Sequence, residues 1–198
     1  MLVLNDKVYG LLTGAQYEGE VTLDVPQDIV CPAIPQMVQR FAMEFPKVKV
    51  RLMSSFTLIL KDQFDRGECD FIVTTEDGLD SGGETLTELQ LIWVGAPGGQ
   101  AWRLRPLALA YEQLCIFRQG VQEQLDTGGV FWVLAVDSHN TRTVDATVSA
   151  DLAVHTVLEG TKPCHIELNA EGEVGQTLVG LISTLAMRMM CVARRLVP

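Results

Sequence analysis

Asp137-Ser138-His139 sets the acid, nucleophile and base types of acyl transfer side by side. Neighbours in sequence rarely reach triad geometry, because the fold, not chain order, brings such members together. Neither G-x-S-x-G nor H-E-x-x-H occurs, so no nucleophile elbow and no helical zinc site is indicated. Cys31, Cys69, Cys115, Cys164 and Cys191 are too far apart for C-x-x-C, and the chain has 3 His. A Cys/His zinc site is therefore not expected. Cys69 and Cys115 as redox sensors would need a resolving partner that the spacings do not suggest. The expectation is no catalytic residue, no metal and no cofactor, with reduced thiols acting as small hydrophobes in a cytoplasmic protein.

What remains is hydrogen-bonding chemistry. Short polar side chains follow apolar runs at Pro26-Gln27-Asp28, Ser54-Ser55, Thr74-Thr75 and Asp137-Ser138-His139-Asn140-Thr141-Arg142. Several of these stretches precede helices, where free backbone N–H groups hold polar ligands. Asp28 and Asp137 read either as ligand contacts or as helix caps and solvated carboxylates. Arg142 reads as the partner of an anionic ligand, or of Asp137 or Asp145. With two carboxylates against Arg142 and His139, the expected ligand is small, polar and not a multiply charged anion.

Composition narrows the partners. Of 198 residues 47% are apolar and 20% charged, which suits a globular chain with a sizeable core. Lys plus Arg number 15 against 25 Asp plus Glu, a net charge of -10, so direct binding to a phosphate backbone is not expected. The first residues lack the basic and apolar blocks of a signal peptide. The uncharged stretch 174–187 is shorter than the ~20 residues of a spanning helix. No membrane contact is expected.

Two sets of alternating elements must position the polar stretches. Val21-Thr22-Leu23-Asp24-Val25 has strand periodicity and Pro26 stops it. Ile34, Met37, Val38, Phe41 and Phe45 mark one face of a helix between Pro35 and Pro46. A strand follows at 48–52. Ser54 or Ser55 is expected to cap a helix that buries Leu60 and Phe64 and ends at Gly67, before a buried strand at 71–73. Residues 76–88 read as an acidic, Gly-containing loop or hairpin, and 91–95 as a strand. The second set is a strand at 107–110, a helix through Phe117, Val121 and Leu125, a strand at 131–136, a helix at 141–150 with Val144 and Val148, and a strand at 154–158. The lead-in to Gly19 has no strong pattern, and the tail from Cys164 reads as strand, helix or both. Strand and helix in alternation predict parallel α/β sheets, whose ligands collect at the carboxyl ends of the strands.

From about Leu4 to Leu158 the order of motifs resembles the effector-binding half of LysR-type transcriptional regulators. Leu4-Asn5-Asp6 is like the end of that family's linker helix, and Glu18-Gly19-Glu20-Val21-Thr22-Leu23 like its approach to the first strand. Ile34-Pro35-x-x-Val38-x-x-Phe41-x-x-x-Phe45-Pro46 matches its first helix. Gly67-Glu68-Cys69-Asp70-Phe71-Ile72 is similar to its G-E-L-D step, with Cys69 where Leu is usual. Leu91-Ile92-Trp93-Val94-Gly95 resembles its crossover strand, and Cys115-Ile116-Phe117-Arg118 and Asp151-Leu152-Ala153-Val154 its second lobe. Asp151 and His155 stand where a small residue is common, and the match weakens past Leu158.

The resemblance implies two Rossmann-like lobes joined by crossover strands, a type 2 periplasmic-binding-protein-like α/β fold. Lobe I would span 20–92 and about 161–198, lobe II 93–160, with 1–19 a remnant of the linker. It further implies a small polar effector bound at the loops above, the Ser54, Ser55, Thr74 and Thr75 loops most directly. Homodimerisation through the 34–45 helix is implied too, with higher oligomers in a full-length parent. DNA would be reached only through an N-terminal winged helix-turn-helix that these residues do not include, so a shortened form of a longer regulator is expected. The alternatives are a solute-binding protein of a transport system and a non-sensing scaffold whose cleft its own side chains fill.

Overall fold

The computed structural model describes residues 19–29, 33–76, 83–161, 166–167, 180–182 and 185–193. The chain divides into two compact units, 1–89 with 187–198, and 90–186.

Unit 1 is built from β1 (Gly19–Pro26), α1 (Ala33–Glu44), β2 (Val48–Ser55), α2 (Thr57–Asp65) and β3 (Phe71–Glu76). The first half of β4 (Glu84–Gly95) and nearly all of β9 (Ala186–Ala193) complete it. Its strands run in the order β2-β1-β3-β9-β4. β1 pairs in parallel with β2 and with β3, while β9 runs antiparallel to β3 from Phe71↔Ala193 to Glu76↔Arg188. Val21, Leu23 and Val25 are buried on one face of β1, and Asp24 is buried on the other. A strand covered on both faces is what helical crossovers produce in a parallel sheet. The i, i+7 pair Ile34 and Phe41 is the buried side of α1. Leu60 of α2 packs with Cys69 and Ile72, and Phe64 and Val192 close the cluster. Each such burial stabilises the unit by about 1.5–3 kcal/mol.

Unit 2 repeats the plan with β5 (Leu107–Glu112), α3 (Phe117–Thr127), β6 (Trp132–Ser138), α4 (Thr141–Ser149) and β7 (His155–Leu158). β5 pairs in parallel with β6, and Leu109 bridges Val154 in parallel on its other edge. β5 thus has β6 on one edge and Val154, the residue just before β7, on the other, much as β1 lies between β2 and β3. The second half of β4 takes β7 and the short β8 (Ile166–Glu167) antiparallel. Phe117, Val121 and Leu125 are the buried stripe of α3. Val144 and Val148 of α4 pack on Ala110 and Ala153, with Ala108 and Val136 against them.

One expectation changes. Ser54 and Ser55 do not cap α2. They end β2, held extended by pairing with Val25 and Pro26, and Phe56 takes the N-cap position without a side-chain cap. Of the stretch read as a loop or hairpin, residues 84–88 are strand, paired within the sheet, and Arg188 of β9 binds Glu88 at 2.8 Å. In the tail, 186–193 is strand, with Met187, Met189, Met190 and Cys191 buried. The division into compact units places the return to unit 1 at 186/187. The expected linker remnant lies outside the described residues but for Gly19.

Candidate functional site

In unit 1, β2 and β3 lie on opposite sides of β1, so the connections around its carboxyl end diverge, the place where open α/β sheets take ligands. Pro26 is buried and in register with Ser55. Gln27 (exposed) and Asp28 (half-buried) form a short 3-10 turn to Ile29, and both are already engaged within the molecule. Ser54 is exposed and Ser55 half-buried at the neighbouring strand end. Thr74 and Thr75 are not loop residues. β3 is an inner strand between β1 and β9, and both threonines are fully buried in it.

Their hydroxyls are spent on holding α2 to the sheet. The Thr57 and Thr75 hydroxyls lie 3.2 Å apart, and the Thr75 N–H donates to Thr57 Oγ1 at 3.4 Å. Thr74 Oγ1 donates to Glu76 Oε1 at 2.7 Å, and Lys61 Nζ donates to Glu76 Oε2 at 3.0 Å. Thr57, Lys61 and Glu76 were not among the expected site residues. The i, i+4 spacing of Thr57 and Lys61 on one helix, and Glu76 two residues beyond Thr74 on one strand face, are the signals that mark them.

Unit 2 has the same divergence at the end of β5. Asp137 and Ser138 are the last residues of β6, in register with Tyr111 and Glu112. Asp137 is half-exposed and pairs with Arg118 of α3 at 3.0 Å, not with Arg142. The Asn140 N–H donates to Ser138 Oγ at 3.0 Å, and Asn140 Oδ1 accepts from the Arg142 N–H at 2.9 Å. Asn140 is thus the N-cap of α4. His139 and the Arg142 side chain are exposed, and Thr141 is half-buried in the first turn. The structure therefore brings Asp137 to Arg142 together, and it separately joins Pro26 to Ser55. Arg118 and Glu112 are not among the expected site residues: the sequence reads as a strand ending at Ala110, although the period of two continues to Glu112 on the same face.

Glu112 is 4% exposed. Beside it the Tyr111 hydroxyl bonds Thr156 Oγ1 at 2.7 Å, and the Tyr111 ring meets His155 edge-on with centroids 4.7 Å apart. Burial holds the Tyr111 phenol well above its ordinary pKa, so it stays neutral. In unit 1, burial also raises the Asp24 carboxyl, against a hydrogen bond from Cys69 and the nearby Arg51 charge. Asp24 Oδ1 is buried with no hydrogen-bond partner among the described residues. Asp151 departs from the small residue expected at its position, and its carboxylate accepts from the N–H groups of Gln100 and Ala101, the latter at 3.0 Å. Among the described residues no group of three or more His, Cys, Asp or Glu is placed to hold a metal, and no helix is long and apolar enough to cross a membrane.

Comparison with known proteins agrees with this architecture. Residues 14–159 match the family model of the LysR substrate binding domain. The HTH-type transcriptional regulator PecT of Dickeya dadantii (strain 3937) is 22% identical over 155 residues, 78% of this chain and 49% of PecT. The chain thus spans about half the length of the curated relative it matches. The cofactor-binding domain of the Cbl transcriptional regulator superposes with a TM-score of 0.68 at 14% identity, covering 91% of this chain and 83% of that one. The C-terminal domain of a probable LysR family transcriptional regulator from Rhodococcus sp. RHA1 gives 0.66 at 12%, over 91% and 93%. The CcmR regulatory domain of Synechocystis PCC6803, solved in complex with 2-PG, gives 0.64 at 14%, over 89% and 88%. The fold is the type 2 periplasmic-binding-protein-like fold of such effector-binding domains, and the family is one of regulators rather than enzymes. With the family model covering most of its length, the chain belongs to the LysR substrate binding domain family.

Proposed function

We propose that this chain is the effector-sensing and dimerisation domain of a LysR-type DNA-binding transcriptional regulator. A small polar molecule binds at the carboxyl ends of the parallel strands, and its different affinity for two arrangements of the domain shifts the dimer and the DNA-binding heads. The observation that carries this reading is the repeated order of strands. In each unit a first strand is flanked by the two that follow it, and the diverging connections are lined by Gln27, Asp28, Ser54 and Ser55 in one and by Glu112, Ser138, His139 and Asn140 in the other.

Dimerisation is supported by the sheet edges. β2 ends the strand order of unit 1 with Leu52 and Met53 exposed. β6 is paired on one side by β5, with Val133 exposed and Phe131 just before it 82% exposed. Apolar edge strands invite pairing with another chain, and a two-fold dimer covers both copies of one contact. The regulator is proposed to work in the cytoplasm and to reach DNA through a separate domain.

A thermal-shift screen of the chain against a metabolite library tests the sensing role. A stabilising compound whose effect is lost in Ser55→Ala or Ser138→Ala is the expected result. A hit insensitive to both would place binding elsewhere. Sedimentation at tens of micromolar tests the dimer, and a monomer alone would refute it.

A further inference from the structure

Glu112 closes β5, is 4% exposed and stands in register with Ser138. It shares the sheet face of Ala110 and Val136, on which α4 packs. Among the described residues no hydrogen bond or ion pair reaches its carboxylate; its backbone carbonyl accepts from the Cys115 N–H at 3.2 Å. Four donors around the strand ends are engaged elsewhere. The Asn140 N–H goes to Ser138 Oγ, the Arg142 N–H to Asn140 Oδ1, and the Gln113 N–H to the Ser138 carbonyl. The Arg118 guanidinium is taken by Asp137 at 3.0 Å. The residue keeps 4% of its surface exposed at the strand end, the side from which a ligand would reach it.

A carboxylate at this depth is costly to keep without a partner, and a sequence retains such a group where something outside the chain completes it. Resting on the reading of these strand ends as an effector site, we propose that Glu112 anchors a small organic cation, an ammonium or guanidinium compound. Ser138 Oγ, one position across the ladder, supplies a second acceptor for the same nitrogen. Asp137 does not compete for the cation, because Arg118 already neutralises it. Anions are disfavoured twice: by Glu112, and by the self-capped start of α4, whose Arg142 N–H is occupied by Asn140.

The test uses the full chain with putrescine and agmatine as cationic probes, 1,4-butanediol as the neutral match and succinate as the anionic one. Calorimetry and thermal shift are run on the parent, Glu112→Gln and Glu112→Asp. We expect at least one cation to bind and the diol and succinate not to. Glu112→Gln should weaken that binding about 10- to 100-fold, the loss of a charge-assisted hydrogen bond, with Glu112→Asp in between. Without probe, Glu112→Gln should raise the midpoint by about 2–4 °C, because a buried charge has been removed. A carboxylate kept only to complement the start of α4 would instead lower the midpoint when replaced, which would overturn the inference. Equal cation binding by Glu112→Gln, or no cation binding, would overturn it too. If succinate or the diol binds and Ser138→Ala weakens it, the effector site stands and only cation selection falls. Silence from every probe and from the wider metabolite screen would remove the site reading and the inference together.

Discussion

The hydroxyls of Tyr111 and Thr156 lie 2.7 Å apart, both without solvent contact, and tie β5 to β7 across 45 residues of sequence. Neither group has water to fall back on. Tyr111→Phe should therefore cost about 1–3 kcal/mol, because it leaves a buried hydroxyl unsatisfied. Tyr111→Phe combined with Thr156→Val should cost much less than the two single changes added. Urea denaturation of the double-mutant cycle measures this, and strict additivity would show that the bond contributes nothing.

Asp24 gives unit 1 a pH-dependent stability. Burial raises its folded-state carboxyl above the ordinary value, so the native state keeps a proton that the unfolded chain has released. Stability from this group is full below the unfolded value, falls as pH rises from there to the raised folded value, and is flat above it. Asp24→Asn should remove that slope and be more stable than the parent at neutral pH. Urea midpoints across the acid-to-neutral range would show the two proteins converging at low pH. A variant weaker than the parent at neutral pH would contradict the assignment.

Asp151 adopts φ 58 and holds the turn at Ala101–Arg103 through Gln100 and Ala101. Asp151→Ala keeps the left-handed backbone and loses the carboxylate, so a loss of about 2–4 kcal/mol is expected. Asp151→Asn keeps an acceptor and tolerates the conformation, and should lose less than half as much. Thermal denaturation ranks the three proteins. A smaller loss for alanine than for asparagine would argue against this role.

The chain itself should have no measurable affinity for duplex DNA at physiological salt. Its net charge of -10 opposes the counterion release that drives such binding. Specific retardation of a promoter fragment by the chain alone would refute this.

Much of the fold is readable in the sequence because period and punctuation agree. Val21, Leu23 and Val25 alternate, Ile34 and Phe41 repeat at seven, and Pro26, Pro46 and Gly67 mark stops near the ends of β1, α1 and α2. The site is only partly readable, for three physical reasons. Thr74 and Thr75 look like loop residues by type, yet β9, far away in sequence, pairs with their strand and buries them. Asp137 looks open, but its cation is Arg118 on a helix 19 residues earlier, a distance that no local spacing encodes. Glu112 was overlooked because a charged residue reads as the end of a strand, whereas at a strand terminus it can lie inside the sheet's footprint.

β9 carries a consequence for how the protein is made. Unit 2 is one uninterrupted stretch, 90–186, whereas unit 1 receives its fourth strand from 187 onward. On the ribosome the second-numbered half is therefore the first that can finish. Until residues 188–193 emerge, Phe71 to Glu76 present an unpaired edge to neighbouring nascent chains. A stop codon placed before residue 187 removes the partner of that edge. Such shortened chains are expected to be lost to aggregation and proteolysis rather than accumulate as sensors of altered specificity.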